Sequence, residues 1–275
     1  MVSNWTIKSL YYGKINLPKG VLTAGLDNDI QIDVPYIGFL LQNGKENILV
    51  DCGIHEDNIV DGKAWGGYHA EGGTRYVVEA LEKEGLAPKD IDSVIYTHLH
   101  NDHAGAATLF KEAKTYVQRD EYANVFNQIP TQKIRSDFDK RTPGDLLELK
   151  DLYLIEGDIK LSNGIELYKI AAHTLGSMFI VVPTKEGRYI ITGDLPHLNH
   201  CLFPKMKKMQ LLDGSFIDIT PAPDVMMPFL INSVIYDHWA AFDGFYKMKA
   251  LVDEFVPKYF LTGHDPWVIL QHTFG

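Results

Sequence analysis

YTHLHNDHAG, residues 96–105, sets three histidines and an aspartate between His98 and His103. The run that leads into it, SVIYT at 93–97, is β-branched and aromatic. It predicts a buried strand at about 94–97, with His98, His100, Asp102 and His103 on the turn that leaves it. Loops held at strand ends by a rigid sheet are where chemistry concentrates. Imidazole and carboxylate are the donors that suit zinc and similar divalent ions, and three or four of them must converge to close such a site. One cluster therefore requires partners from distant parts of the chain.

Three partners sit at the same kind of address. His173 follows the strand-like IELYKI (165–170), Asp194 ends the apolar run in YIITGDL (189–195), and His264 follows YFLTG (259–263). A lone histidine among the 11 in this chain is usually a satisfied core or surface residue. Five histidines and two aspartates, each at the end of a strand, call for a shared site on one rim of a sheet.

Away from this rim, β-branched and aromatic runs predict strands at about 5–12, 36–41, 47–51, 115–118, 165–170, 177–183, 188–193 and 258–262. Apolar spacing predicts a helix over 74–86, capped by Thr74 and closed near Gly85. It predicts another over 237–255, with Trp239, Phe242, Phe245, Tyr246, Leu251, Val252 and Phe255 facing a sheet. Early hairpins followed by strands interleaved with helices indicate a mixed α/β fold. No short repeat or Ser/Pro-rich linker interrupts the chain, so a single domain over 1–275 is expected. The least regular stretch is 127–151, and long loops in compact domains are usually functional or disordered.

Composition narrows the partners. The 275 residues carry 36 acidic and 26 basic side chains, a formal net charge of −10, which disfavours a nucleic-acid or anionic-membrane partner. Cys52 and Cys201 are too far apart in sequence to read as a metal pair or a disulfide framework, and two buried thiols are expected. The start MVSNWTIKSLYYGKI lacks the basic and apolar regions of a secretory signal, and no stretch approaches the roughly 18 to 20 apolar residues of a membrane span. The expectation is a soluble cytoplasmic protein.

The order His-x-His-x-Asp-His, then His, then Asp, then Gly-His near the carboxyl end resembles the metallo-β-lactamase superfamily. ILVDCG (48–53) is similar to that family's early strand ending in Asp-x-Gly, while EGDIKLSNGIEL (156–167) and GHDP (263–266) resemble the branch containing the N-acyl homoserine lactonases. The resemblance implies a four-layer αββα sandwich, two mixed sheets flanked by helices, with a two-metal centre between them. It implies that His98, His100 and His173 hold one ion, that Asp102, His103 and His264 hold the other, and that Asp194 bridges both. Asp51 is expected to brace the metal loop from outside the ligand set. Two divalent ions roughly 3.5 to 4 Å apart need a bridging carboxylate between them, and together they lower the pKa of a shared water to about 7, giving a hydroxide nucleophile. His100, where di-iron redox relatives carry an acidic residue, favours zinc.

Two departures bear on substrate. Around the third ligand the chain reads Ile170-Ala171-Ala172-His173-Thr174-Leu175-Gly176-Ser177, so Ser177 replaces a second family histidine. Three positions after Asp194, where the lactonases present a tyrosine, stands His197, which is expected to contact substrate rather than metal and to join Asp102 as a catalytic residue. AWGGYHAEGG (64–73), with four glycines, predicts a mobile substrate loop presenting Trp65, Tyr68 and His69. The Met- and aromatic-rich stretches 202–212 and 222–239 suit a small-molecule substrate with an apolar portion.

The resulting expectation is a metal-dependent hydrolase opening a lactone or related small ester, with quorum-quenching hydrolysis of an N-acyl homoserine lactone as one form and a homodimer as one assembly. A thioesterase of glyoxalase II type is an alternative; such enzymes append a helical domain after the last ligand, whereas 11 residues follow His264 here. A metal-dependent phosphodiesterase is another, disfavoured for nucleic acid by the negative charge. A decayed, noncatalytic site is opposed by the seven filled ligand positions.

Overall fold

In the computed structural model, which describes residues 4–275, β1 (Thr6–Pro18) and β2 (Gln31–Gln42) form a long antiparallel hairpin. Met1–Ser3, where the stretch read for a secretory signal begins, lie outside the described residues. The chain continues through β3 (Asn47–Val50), β4 (Ala70–Gly72), β5 (Ser93–Ile95), β6 (Lys114–Gln118) and β7 (Asp151–Ile155). After these come β8 (Ile159–Lys160), β9 (Glu166–Lys169), β10 (Met178–Thr184) and β11 (Gly187–Gly193), the hairpin β12 (Lys208–Gln210) and β13 (Phe216–Asp218), then β14 (Phe260–Thr262) and β15 (Thr273–Phe274). The helices are α1 (Thr74–Lys83), α2 (Arg119–Phe126), α3 (Pro130–Arg135), α4 (Thr142–Glu148), α5 (Asn199–Leu202), α6 (His238–Leu251) and α7 (Pro266–Gln271).

Two mixed sheets result. One runs β15-β1-β2-β3-β5-β6-β7 with β4 added to β1, and the other runs β14-β11-β10-β9-β8. Period-two alternation sorts the first sheet's side chains into two cores. Ile37, Phe39 and Leu41 of β2, with Ile48 and Val50 of β3, face a cluster shared with Leu167, Phe179, Ile180 and Ile191 of the second sheet. Tyr36 and Leu40, with Leu49, point the other way, into a cluster closed by Val77 and Leu81 of α1, Val125 of α2 and Leu146 of α4. On the far side, α6 adds Ala241, Phe245 and Met248 to the inter-sheet cluster. Each fully buried side chain of this size contributes about 1.5–3 kcal/mol, so the sandwich rests mainly on these two layers. This is the expected mixed-sheet α/β architecture.

Four details depart from the sequence reading. The first strands run further than 5–12 and 36–41, because residues up to Pro18 and from Gln31 continue the hairpin register. Helix α1 begins at Thr74 with Gly73 as its cap residue; Thr74 donates its N–H and hydroxyl to the Glu56 carboxylate instead of capping. The stretch 127–151 is not one loop but holds α3 and α4. Helix α6 ends at Leu251 and turns Ala241, Gly244, Phe245 and Met248 inward, leaving Trp239 80% and Tyr246 53% exposed.

Strand ends from both sheets meet at one rim. The Thr97 carbonyl, just past β5, accepts the Met178 N–H that opens β10 at 2.8 Å. β11 and β14 are parallel, and the Gly263 N–H bonds the Gly193 carbonyl at 3.0 Å, so Asp194 and His264 leave the second sheet side by side. A Cβ at Gly263 would stand 2.8 Å from Asp194 Oδ1, and one at Gly193, whose φ is +57°, would stand 2.8 Å from Thr97. Both positions need glycine for the carboxylate to reach the first sheet's loop.

Candidate metal centre

Asp51 ends the segment after β3 in the left-handed region, φ +57°, and its carboxylate is fully enclosed. Oδ1 accepts the Thr97 N–H at 2.8 Å, while Oδ2 accepts the Thr97 hydroxyl at 2.6 Å and faces His103 Nδ1 at 2.8 Å. Thr97 Oγ1, its own proton given to Asp51, receives His98 Nδ1 at 3.0 Å. Further along the rim, His173 Nδ1 is 2.7 Å from the Val234 carbonyl and His264 Nδ1 is 2.8 Å from the Pro35 carbonyl. Four imidazoles are thus held by Nδ1 and present Nε2 to a common space, the arrangement that fixes tautomer and ring direction in metal sites. His100 is turned the other way, its Nδ1 3.0 Å from His173 Nε2.

Asp194 lies at the middle of that space. Oδ1 is 3.1 Å from Nε2 of His103 and 3.1 Å from Nε2 of His264. Oδ2 is 3.4 Å from Nε2 of His173 and 3.8 Å from Nε2 of His98. Asp102 is the most open of the acids, with side-chain exposure of 20%, and its oxygens stand 3.6 Å from His264 Nε2 and 3.9 Å from His103 Nε2. Three donor groups result, His98, His100, His173 and Asp194 in one, Asp102, His103 and His264 in another, and Asp194, His197 and His264 in a third, the donor atoms of each within 4.8 Å of one another. All seven residues singled out in the sequence are brought together.

His197 is buried beside them, its Nε2 3.1 Å from Asp194 Oδ2. Its Nδ1 faces the Asn232 amide nitrogen, which also donates to the Asp194 carbonyl at 3.2 Å. An amide nitrogen that donates to Nδ1 leaves the proton of a neutral ring on Nε2.

The donor chemistry fits a divalent cation. Nε2 of His98, Nε2 of His103 and Oδ1 of Asp194 are buried without a hydrogen bond among the described residues, although the last two are only 3.1 Å apart. Buried polar atoms without partners are rare and call for a specific reason. Burial and the neighbouring imidazoles hold His98 and His100 well below the ordinary histidine pKa. Burial works the same way on His103 and His264, but Asp194 and Asp102 outweigh it and raise both. Burial would raise Asp194; His197, His264 and His103 instead hold it well below the usual carboxylate range. The carboxylates thus draw positive charge onto the rings, charge that a dication would supply in place of protons.

Glu121, on α2, was not legible in the sequence. Fully buried, it accepts the Leu99 N–H at 2.9 Å, the Thr174 hydroxyl at 2.6 Å and the Gly176 N–H at 3.0 Å, joining the loop of His98 and His100 to that of His173. Ser177 braces the same turn by donating to the Ile170 carbonyl at 2.5 Å.

A cavity of about 530 Å³ opens onto the donors, lined by His100, Asp102, His173, Asp194, His197 and His264. Its apolar wall comes from the first hairpin and the loop after β3, through Ile15, Leu17, Val21, Leu22, Val34 and Ile54, none of which the sequence marked. From the Met-rich stretches only Val234 lines it. Trp65 of the glycine loop reaches the cavity, whereas Tyr68 stacks on Trp65 and His69 is exposed; neither of these two lines it. Cys52 and Cys201 are buried and free, as expected.

The model of the metallo-β-lactamase superfamily matches residues 38–202. An N-acyl homoserine lactonase of Bacillus cereus is 27% identical over 200 residues, 69% of this chain and 76% of that protein. Among solved structures, an N-acyl homoserine lactone hydrolase with the product N-hexanoyl-L-homoserine bound at its catalytic metal centre superposes with a TM-score of 0.71 at 21% identity, covering 96% of this chain and 94% of that one. The dizinc quorum-quenching lactonase AidC gives a TM-score of 0.67 at 17% identity, covering 97% and 90%.

Proposed function

Because the chain belongs to the metallo-β-lactamase superfamily, we propose that it is a dinuclear metal-dependent hydrolase that opens a lactone or a related small ester, with N-acyl homoserine lactones the first substrates to test. The observation that carries this is the division of imidazoles between the two oxygens of Asp194, beside a cavity with one apolar wall. In this reading His98, His100 and His173 would hold one zinc and Asp102, His103 and His264 the other, with Asp194 supplying an oxygen to each. When bound, such a pair supplies Lewis acidity and lowers the pKa of water.

The remaining work falls to the chain's own side chains. His197, with Asn232 at Nδ1, keeps a proton on Nε2 and is placed to donate to the substrate oxygen on which charge develops. The same proton makes Nε2 a poor metal donor, which supports a role for His197 toward substrate although it also stands in a donor group with Asp194 and His264. Asp102 faces the cavity and is suited to pass a proton to the leaving alkoxide. Ile15, Leu17, Val21, Leu22 and Val34 take the apolar portion, with Trp65 at the mouth. We assign this activity to one domain acting on a small molecule in the cytoplasm, with a homodimer as one assembly to test; among the described residues no helix is long and apolar enough to cross a membrane.

The test is a hydrolysis screen of zinc-loaded protein against lactones, thioesters and phosphodiesters. Turnover of lactones above the rest is the expected result. Thioester or phosphodiester hydrolysis with lactones untouched replaces the proposal with one of the alternatives.

A further inference from the structure

A break in the pairing of the first hairpin aims a tyrosine at the candidate centre. Tyr11 pairs with Ile37 and Lys14 with Pro35, so Tyr12 and Gly13 together stand against the single residue Tyr36. A bulge of this kind bends its strand and re-aims side chains, and it recurs beside reactive sites. Gly13 allows it with φ +115°, and a Cβ there would collide with the Glu71 carbonyl oxygen of β4. On the opposing strand Tyr36 is buried in the core and still lines the cavity.

Tyr36 is tied to the metal donors in two ways. The carbonyl that accepts from His264 Nδ1 at 2.8 Å belongs to Pro35, in the peptide bond that leads into Tyr36. The Tyr36 ring also meets the His264 ring edge-on, with centroids 6.3 Å apart at 72°. His197 stacks on the same imidazole at 5.1 Å and 16°, so one ligand ring touches both. Buried polar groups are normally hydrogen-bonded. The Tyr36 hydroxyl has no hydrogen bond among the described residues, and unlike the unpartnered Tyr12 hydroxyl it is not sealed in the core but open to the cavity. Of the chain's own charges Asp102 is the one that acts on this phenol, and burial and then that carboxylate keep its proton in place. Two dications would pull the other way and sharpen the O–H as a donor. The oxygen it serves follows from its neighbour. Asp102 is the group suited to pass a proton to the leaving alkoxide, so a donor beside it faces the leaving oxygen, and His197, against Asp194, is left the carbonyl oxygen.

We propose, on the hydrolase reading above, that Tyr36 is a catalytic residue whose hydroxyl donates a hydrogen bond to the leaving oxygen of the substrate. When water adds to the carbonyl carbon and the acyl C–O bond breaks, the bonding pair stays on that oxygen. Tyr36 keeps its own proton and stabilises the charge; the proton that the oxygen acquires is the one released by the attacking water and carried by Asp102. The site is thereby matched to poor leaving groups, the alkoxides that lactones and alkyl esters release, over activated aryl esters.

The experiment compares the zinc-loaded protein with Tyr36→Phe on γ-nonalactone, whose leaving group is an alkoxide, and on para-nitrophenyl nonanoate, whose phenolate leaves without help. Metal content is measured on both proteins, and calorimetry follows their binding of γ-hydroxynonanoate and nonanoate. The variant should keep its full metal content, lose about a hundredfold in kcat on the lactone and no more than about threefold on the aryl ester. The preference for the hydroxy acid should be about two- to tenfold greater in the wild type than in the variant. Equal falls on the two esters, an unchanged lactone rate, or loss of metal overturns the proposal, the last by showing that Tyr36 acts through His264. Where the wild type leaves either ester intact, the acids alone decide: a preference reduced with the hydroxyl removed upholds the contact, and an unchanged one refutes it. An intact lactone also ends the lactonase reading, so the two failures are told apart.

Discussion

Glu121 and Thr174 stand 53 residues apart in the chain, and the Thr174 hydroxyl donates to the buried Glu121 carboxylate at 2.6 Å. The same carboxylate receives the Leu99 and Gly176 N–H groups, so one acid sets the spacing between His100 and His173. Glu121→Gln keeps the size but turns an NH2 toward a backbone N–H that needs an acceptor. Zinc affinity, measured by competition with a chelator, should fall about ten- to a hundredfold. An unchanged affinity would show that the two loops hold their spacing without this acid.

Asp194 turns one oxygen toward His103 and the other toward His173. Elemental analysis of protein purified without chelator should find two divalent ions per chain in the wild type, and at most one in Asp194→Ala, with activity lost in step. A full complement of metal in the variant would remove Asp194 from its proposed bridge.

Trp65 covers the Arg135 guanidinium and stacks on Tyr68 at a centroid distance of 6.3 Å, at the cavity mouth, half-buried on the edge of the core. Trp65→Ala should lower kcat/KM while Tm moves by only about 1 to 2 °C, the scale of a peripheral substitution in a chain of this size. A large fall in Tm with kinetics per folded molecule intact would make it a core residue.

For His197, the Asn232 amide at Nδ1 fixes the donor on the cavity side. His197→Ala should retain its metal and lose roughly ten- to a thousandfold in kcat. His197→Tyr should recover part of that loss, and Asn232→Ala should show a smaller fall because the ring then loses its preferred tautomer. Loss of metal in the alanine variant would move His197 among the ligands.

His200 is buried with Nδ1 2.9 Å from the Lys19 ammonium, and burial, then that cation, push its pKa down to about 4 from the usual 6.5. The folded chain refuses the proton that the unfolded chain accepts. The stability tied to this ring is therefore complete above pH 6.5 and is lost as pH falls toward 4, by about 3 kcal/mol in all. His200→Gln removes the term. Denaturant unfolding at pH 7 and pH 5 should show the variant losing less stability on acidification than the wild type, a difference in which the titration of the metal donors cancels. Equal losses would show that the ring takes up its proton without cost.

The reactive centre was legible because its signals are local: His98, Asp194 and His264 each close an apolar run, and imidazole at that address has few structural uses. Glu121 left no such trace, since a glutamate inside a polar helical turn is ordinary until the fold lays two ligand loops across it. Ile15, Leu17 and Val34 alternate as any hairpin residues do, and only the curvature of the assembled sheet makes them a cavity wall. Arg135 lay in a stretch whose helices of six and seven residues are too short to display a period. In α6 the predicted face was right for Phe245, Phe242 and Leu251, with Val252 and Phe255 just beyond the helix, all packed on the inter-sheet cluster, but the small residues Ala241 and Gly244 share that face and the large Trp239 and Tyr246 point outward.

The first hairpin reaches the candidate centre through a main-chain atom, the Pro35 carbonyl that accepts from His264, while its side chains at Ile15, Leu17 and Val34 line the cavity. Mutation along this hairpin can therefore exchange one ligand shape for another while the bond-breaking apparatus is inherited intact. In a lineage built this way, selectivity is free to wander under selection and the chemistry is not, so descendants should diversify in what they accept long before they differ in what they do to it.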